Sequence, residues 1–551
     1  LETEKKVFVR KATGLVREIS PLVAVLLVCS NVIGLGWQKR LFQFSGTGTP
    51  ETEFVLGLPP IVMSFIIVGI IVLLTVWVFA ILGAAMPRSG GGYIYISRLI
   101  HPFVGFVASW MEYFSIAVSF GLIGTAVYEA ILIYGGLAKL DPGLLSFLGQ
   151  SWVLLVGGMI IVIIFSLIAL FGVRMFGNIL QVMFWIPLVI TIFLYAAMLA
   201  ATPDAMATGI KEVSGAAPEA FTQKALDLGI AATGVDYWTA MATATIGSYW
   251  AYIGFAASTF VAGEVKEATK NLPRTLFVAN IFIVLLYITI SIVATNAATM
   301  VGKVGDYSFF SAYAYLSYGE HGNVLSQVSE TMPRAWMPNI AGFAAWGLGW
   351  GWLVALIPFF AALWVANDIP PFILTSSRII FAMAFDRVMP EKLADVSERW
   401  HTPVGAILLT MFVAFIGNFA ESDIIANVPL IGAYINSGGG VVATDIWDAI
   451  FFLLACVSAI ALIWTAKGKS IYEKAAYKPS KGLVGAVGVI ATLANVYLLY
   501  LVFVGYAGAV EPWVFTLVLI VVGAAIYWVY KSRGSRVGVD YTTIYAEIPP
   551  E

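Results

Sequence analysis

Two apolar stretches of this 551-residue chain carry glycine where a membrane helix would be weakened. One reads Asn31-Val32-Ile33-Gly34-Leu35-Gly36-Trp37 and the other Tyr249-Trp250-Ala251-Tyr252-Ile253-Gly254-Phe255-Ala256. Mid-helix glycine lets the backbone open, and in lipid an opened backbone survives only where it is buried or lines a cavity. The chemistry this offers is recognition by main-chain groups. A half-helix starting at Gly34-Leu35-Gly36 presents free N–H groups and a positive dipole end to a carboxylate. A break at Ile253-Gly254 frees carbonyls that accept from an ammonium. Asn31, a turn before the first break, can contact solute, pin unwound backbone or join helices. Trp250, Tyr252 and Phe255 can wall the site, with a cation–π contact to the ammonium, or simply pack. Glu112, Glu129 and Asp368 stand inside apolar segments and are candidates for coupling or gating. Glu264, just past the second break, is expected with Lys266 to close an inner gate or cap its helix.

The elements that must hold these residues are membrane helices. The chain is 60% hydrophobic and 11% charged, far below the roughly 25% charge of soluble domains. Apolar runs of about 20 residues predict an all-α polytopic protein of twelve spans, near 19–36, 58–84, 103–137, 152–172, 179–201, 240–262, 275–298, 346–374, 403–420, 445–465, 482–506 and 512–530. With the N-terminus inside, all but seven of the 30 Lys and Arg residues fall in cytoplasmic segments and none within a span. Both termini are therefore expected in the cytoplasm. The first ten spans divide into two fives of opposite orientation, with a glycine break in the first member of each, which fits an inverted repeat. The expected organisation is a cytoplasmic segment at 1–18, a first repeat at 19–201, an outer loop at 202–238, a second repeat at 239–465, two extra helices at 466–530 and a tail at 531–551. The outer loops at 202–238 and 299–345 can carry short helices over the outer mouth, and the tryptophans at 336, 346, 350 and 352 read as an interface belt. Cys29 and Cys456 lie in apolar spans and read as buried thiols. His101, His321 and His401 fall at or outside span ends, which argues against a haem or metal subunit. No metal or other cofactor, and no nucleic-acid partner, is expected. The short termini and the lack of glycosylation acceptors point to a prokaryotic plasma membrane.

Three further stretches narrow the class. Met86-Pro87-Arg88-Ser89-Gly90-Gly91-Gly92-Tyr93 is followed by Pro102-Phe103-Val104-Gly105. The second break is followed by Gly263-Glu264 and Asn271-Leu272-Pro273-Arg274. Ser377-Arg378-Ile379-Ile380-Phe381-Ala382 precedes Met389-Pro390 and His401-Thr402-Pro403. In this order the chain, over about residues 14–420, resembles the amino acid–polyamine–organocation permeases. The resemblance implies a leucine-transporter-type fold, with spans 1 and 6 unwound at the site of a small amine-bearing solute, usually an amino acid. It implies a site built from Asn31, Ile33, Gly34, Leu35, Gly36, Trp250, Tyr252, Ile253, Gly254 and Phe255, and it implies that Arg88 and Arg378, as cytoplasmic loop charges, stabilise inward-closed states. The chain departs from the family pattern at Leu35, where a small hydroxyl residue is common, at Ala256, where an acid is common, and at Asp386-Arg387 in place of Asp-Gly.

Phe360 to Asp368, the stretch that would supply sodium ligands, contains no Ser or Thr, and the fifth span from Ile179 to Ala201 contains no base. The reading is a secondary transporter of an amino acid or related amine, by proton symport or solute exchange, and not an enzyme. A polyamine is the alternative solute, for which Glu112, Glu129 and Asp368 would supply acid. A subunit that kept the fold and lost transport is the other alternative.

Overall fold

The computed structural model describes residues 12–45, 48–436 and 439–550. Lys5, Lys6, Arg10 and Lys11, assigned above to the cytoplasmic side, lie outside the described residues. The first span starts where the Ser20 hydroxyl accepts from the Val23 N–H and Pro21 fixes φ, so α1 runs Pro21–Val32. It breaks at Ile33 and Gly34 and resumes as α2 (Leu35–Gln43). Next come α3 (Pro60–Ala85), the short α4 (Gly92–Leu99), the 36-residue α5 (Pro102–Leu137), α6 (Pro142–Leu148), α7 (Ser151–Ala169) and α8 (Val173–Ala200). The first long loop folds as α9 (Pro203–Ser214) and α10 (Pro218–Asp227). Asp236 caps α11 (Tyr237–Tyr252) through the Trp238 and Thr239 N–H groups, and the short α12 (Ala257–Phe260) follows its break. After α13 (Ala268–Thr299), the second long loop holds α14 (Phe309–Tyr318) and α15 (Met337–Gly347). The eighth span is α16 (Gly351–Asn367) and α17 (Ile369–Phe385), with Asp368 at the joint. The rest is α18 (Val404–Glu421), the single turn α19 (Ile431–Tyr434), α20 (Thr444–Trp464), α21 (Ala466–Lys474), α22 (Lys481–Gly505), α23 (Glu511–Arg536) and α24 (Tyr541–Ala546).

Among the described residues, eleven segments are long and apolar enough to cross a membrane. The sixth expected span is not among them because its break leaves pieces of 16 and 4 residues. Among the described residues, extended pairing is limited to isolated bridges. α5 is the central post, packed on α16, α17, α18 and α20. Apolar side chains that face outward, such as Ile160 on α7, Ile192 on α8, Leu493 on α22 and Val521 on α23, form the lipid-facing surface.

Three expectations are corrected. The first span was expected to stop at residue 36, yet it continues through the break to Gln43, which puts Lys39 and Arg40 on a spanning helix. Arg378 is no loop charge; it is fully buried on α17. Lys39 and Arg378 are tolerated there because each pairs with carboxylates. The tryptophan belt also fails as a group, since Trp336 is fully buried and Trp352 is the exposed member.

One end of the bundle gathers distant segments. Ile19 and Val265 bridge in parallel, the Ile19 N–H donating to the Glu264 carbonyl (2.9 Å) and the Lys266 N–H to the Ile19 carbonyl (3.0 Å). α24 docks at the same end. The Tyr541 hydroxyl donates to the Arg387 carbonyl (3.0 Å), Arg88 Nε donates to the Pro549 carbonyl (2.6 Å), and the Lys467 ammonium donates to the Tyr545 carbonyl.

Candidate functional site

The two helix breaks pack directly on each other. Gly254 adopts φ +106°, a region that glycine alone enters without strain. A Cβ on it would lie 2.2 Å from Asn31 Nδ2 and 2.4 Å from the Asn31 carbonyl oxygen. A Cβ on Gly36 would lie 2.7 Å from the Ala251 Cα. Neither break can carry a side chain at these points while the two stay in contact. Asn280 Nδ2 of α13 donates to the Phe255 carbonyl (3.0 Å), and the Tyr287 hydroxyl donates to the Val32 carbonyl, so side chains take over part of the lost helical bonding. Among the described residues no hydrogen bond reaches the Tyr252 or Ile253 carbonyl.

Beside the breaks lies a cavity of about 30 Å³, room for only a few waters. Asn31, Gly36, Trp250, Ile253, Asp368 and Asp448 contribute to its lining. Asp368 reaches it because Pro370 and Pro371, at the start of α17, lack N–H groups and loosen the eighth span at its joint with α16. Its Oδ2 accepts from the Leu35 N–H (3.3 Å), and its Oδ1, in a residue 4% exposed, has no partner among the described residues. A Cβ on Gly34 would fall 2.0 Å from either carboxylate oxygen. Gln38 completes this corner, donating to the Gly34 carbonyl (2.9 Å) and accepting from the Tyr134 hydroxyl.

On the facing side, the Asp448 and Glu112 carboxyl groups are neighbours, with Ser115 beside Asp448. Asp445, one turn earlier on α20, accepts from the Tyr506 hydroxyl (2.7 Å).

Not every expected residue meets the cavity. Tyr252 is turned toward α3, donating to the Phe65 carbonyl (3.1 Å) among the rings of Phe65 and Tyr287. Phe255 packs on Phe79 and Phe452. For these two the packing alternative describes their position, because helical spacing at the break points them outward from the cavity. Trp250 stays at the cavity, but its ring already carries the Arg40 guanidinium, 4.2 Å from the centroid. Ile33 and Leu35 are buried at the break, and Leu35 contributes its main-chain N–H.

Glu129 and Glu264 mark opposite ends. Lys39 Nζ lies 3.0 Å from both Glu129 of α5 and Glu421 of α18. This cluster floors a vestibule of about 840 Å³ lined by Glu129, Lys139, Glu212 and Arg334, among others. At the other end, Glu264 does not pair with Lys266. It accepts both Arg378 Nε and Nη2 at 2.8 Å, with both side chains fully buried. Beside it, Arg98 grips Asp386 through two hydrogen bonds (2.5 and 2.8 Å), and the Tyr93 hydroxyl donates to the same carboxylate (2.7 Å). A carboxylate held by a guanidinium fork makes two charge-assisted hydrogen bonds, each stronger than a neutral one.

Asp448, Asp445, Glu421 and the Glu264–Arg378 pairing were not found from the sequence. The acids on α20 stand in the first turns of an apolar run, where a carboxylate reads as a helix end. The only sequence signal for Asp448 was its position inside a span boundary drawn at 445.

Comparison with known proteins fits this geometry. The chain is 21% identical over 434 residues to the branched-chain amino acid permease BcaP of Bacillus subtilis, covering 76% of this chain and 78% of that protein. It is 23% identical over 476 residues to the serine/threonine exchanger SteT of the same organism (84% and 86%), and 24% identical over 401 residues to that organism's aspartate-proton symporter (70% and 64%). The amino acid permease family model matches residues 19–526, a stretch that contains both breaks, the cavity and both sets of end pairs, and the chain therefore belongs to the amino acid permease family.

Proposed function

We propose that this protein is a secondary transporter that carries an amino acid or related amine across a membrane by alternating access, with the solute seated between the two helix breaks. The observation that carries this reading is the contact of the two breaks beside one small cavity that Asp368 and Asp448 line. In this reading the solute carboxylate meets the N–H groups that open α2. Its ammonium meets the free Tyr252 and Ile253 carbonyls and the Glu112–Asp448 pair. Ion pairs stand on both sides of the cavity, so each opening breaks one set and keeps the other. The end holding Glu264, Arg378 and α24 is taken as cytoplasmic, in a prokaryotic plasma membrane, because the basic loops gather there. The aspartate-proton symporter and the serine/threonine exchanger among its relatives represent the two modes left open here, proton symport and exchange.

The acidic lining favours a polyamine as a second reading, since such a solute needs carboxylates and no anion cradle. Uptake of a labelled amino-acid mixture into proteoliposomes, with and without an inward proton gradient, tests the first reading. Putrescine uptake tests the second. Accumulation that collapses with the gradient indicates symport, and uptake that needs solute inside indicates exchange. Absence of all uptake overturns transport.

A further inference from the structure

The place where a solute carboxylate would sit is already taken. α2 begins at Leu35, and its first N–H donates to Asp368 Oδ2 at 3.3 Å. The carboxylate lies flat against Gly34, where even a methyl group would overlap both oxygens. The groups around Asp368 give it no counter-ion. Tyr287 of α13 faces it and gives its own hydroxyl proton to the Val32 carbonyl. Cys29 of α1 is buried nearby and is a free thiol. Across the cavity stands Asp448 of α20, with Glu112 of α5 beside it, so the facing groups are acids and bring no cation either. No Lys or Arg among the described residues pairs with Asp368; Lys39 and Arg40 point into the outer cluster and onto Trp250.

We propose that Asp368 is a built-in occupant of the solute's carboxylate seat, and that exchange of one carboxylate for the other couples solute to proton. This deepens the transport reading above and rests on it. Two carboxylates cannot share the start of α2, because like charges a few ångströms apart in a dry site repel strongly. When the solute carboxylate takes the Leu35 N–H, Asp368 leaves it and stays buried with no Lys or Arg beside it, the solute ammonium being held on the facing side by the Tyr252 and Ile253 carbonyls and the Glu112–Asp448 pair. A buried, unpaired carboxylate neutralises itself, so Asp368 binds one proton from the side on which the solute entered. When the solute leaves on the far side, Asp368 releases that proton there and returns to the helix start. One proton thus travels with each carboxylate-bearing solute, and a solute without a carboxylate draws none.

The test uses the full chain in proteoliposomes with a pH dye in weakly buffered medium. The probes are the twenty L-amino acids, with isoamylamine and ethanolamine as carboxylate-free counterparts of leucine and serine. Expected for the wild type is about one proton taken up per amino acid, an apparent affinity that falls about tenfold per pH unit on the alkaline side, and no proton movement with either amine. Expected for Asp368→Asn is loss of proton uptake per amino acid bound and a flat pH profile of apparent affinity, whatever turnover the variant keeps. An Asp368 that merely capped α2 would change stability but leave proton stoichiometry and the pH profile unmoved, so retention of both by Asp368→Asn overturns the proposal. Equal proton uptake with amino acids and amines overturns it as well, and needs no variant. If the wild type moves no solute at all, the transport reading itself fails and takes the proposal with it.

Discussion

Gly34 and Asp368 are the residue pair on which the cavity turns. A methyl group at residue 34 meets both Asp368 oxygens at 2.0 Å, and these sit at the tip of a side chain held by one hydrogen bond. We expect Gly34→Ala to cost about 1–3 kcal/mol of stability by overpacking and to reduce uptake at least tenfold. Thermal unfolding in detergent checks the first and proteoliposome uptake the second. Asp368→Ala should relieve the strain of Gly34→Ala when the two are combined, so the double variant is more stable than the single costs add to; additive costs would show that the clash is relieved elsewhere. Glu264 and Arg378 make the contrasting case, since both are fully buried and joined by two 2.8 Å hydrogen bonds. Removing one partner leaves a buried charge alone, and Arg378→Met should destabilise by about 3–5 kcal/mol. Lys139→Ala, which breaks the exposed pair with Glu212, should cost about 1 kcal/mol or less.

At the scale of elements, α24 acts as a strap across one end of the bundle. Asp540 caps it, held down to about 2 by hydrogen bonds from Thr542 and Thr543. Lys467 on α21 anchors it through the Tyr545 carbonyl, and partial burial together with the nearby Arg98 charge lowers Lys467 to about 8. A lysine whose value is lowered on docking favours the undocked state while charged. That penalty is full below about pH 8 and is relieved as pH rises toward the ordinary lysine value. Protease cleavage of the tail should therefore slow between about pH 8 and pH 10, and Lys467→Met should remove that dependence; a tail equally resistant at every pH would show that Lys467 does not govern docking. Elements differ in how legible they were. The breaks in spans 1 and 6 could be read because the Ile-Gly pair stands in the first span of each repeat beside the flanking motifs, whereas glycine in an apolar run alone also serves close helix packing. The far half of span 1 could not, because Lys39 and Arg40 look like a loop until Glu129 and Glu421 are seen around Lys39. Arg378 misled for the same reason, its partner lying 114 residues away in sequence.

For the whole molecule, the central question is which end opens when. A cavity of about 30 Å³ lies between the Lys39 ion pairs beside a vestibule of about 840 Å³ and the buried Arg378 and Arg98 ion pairs at the opposite end, and in the proposed transport cycle these pairs are the opposing gates. The family-like motifs pointed to a fold with two broken helices, but Lys39 and Arg378 read as loop charges, because an ion pair between distant helices leaves no local pattern. Ser119 lines the cavity and offers a reporter position. In a chain whose two buried cysteines are replaced by alanine, Ser119→Cys should react slowly with a membrane-impermeant maleimide from either side. Adding Lys39→Met removes the cation that joins α2 to α5 and α18, and should speed labelling from the vestibule side alone. Adding Glu264→Gln instead weakens the hold on Arg378 and should speed labelling from the α24 side alone. Sided vesicles distinguish the two, and they also report which side is cytoplasmic. If both variants open the cavity to the same side, the end pairs are not opposing gates, because only opposing gates can be released one at a time to opposite compartments.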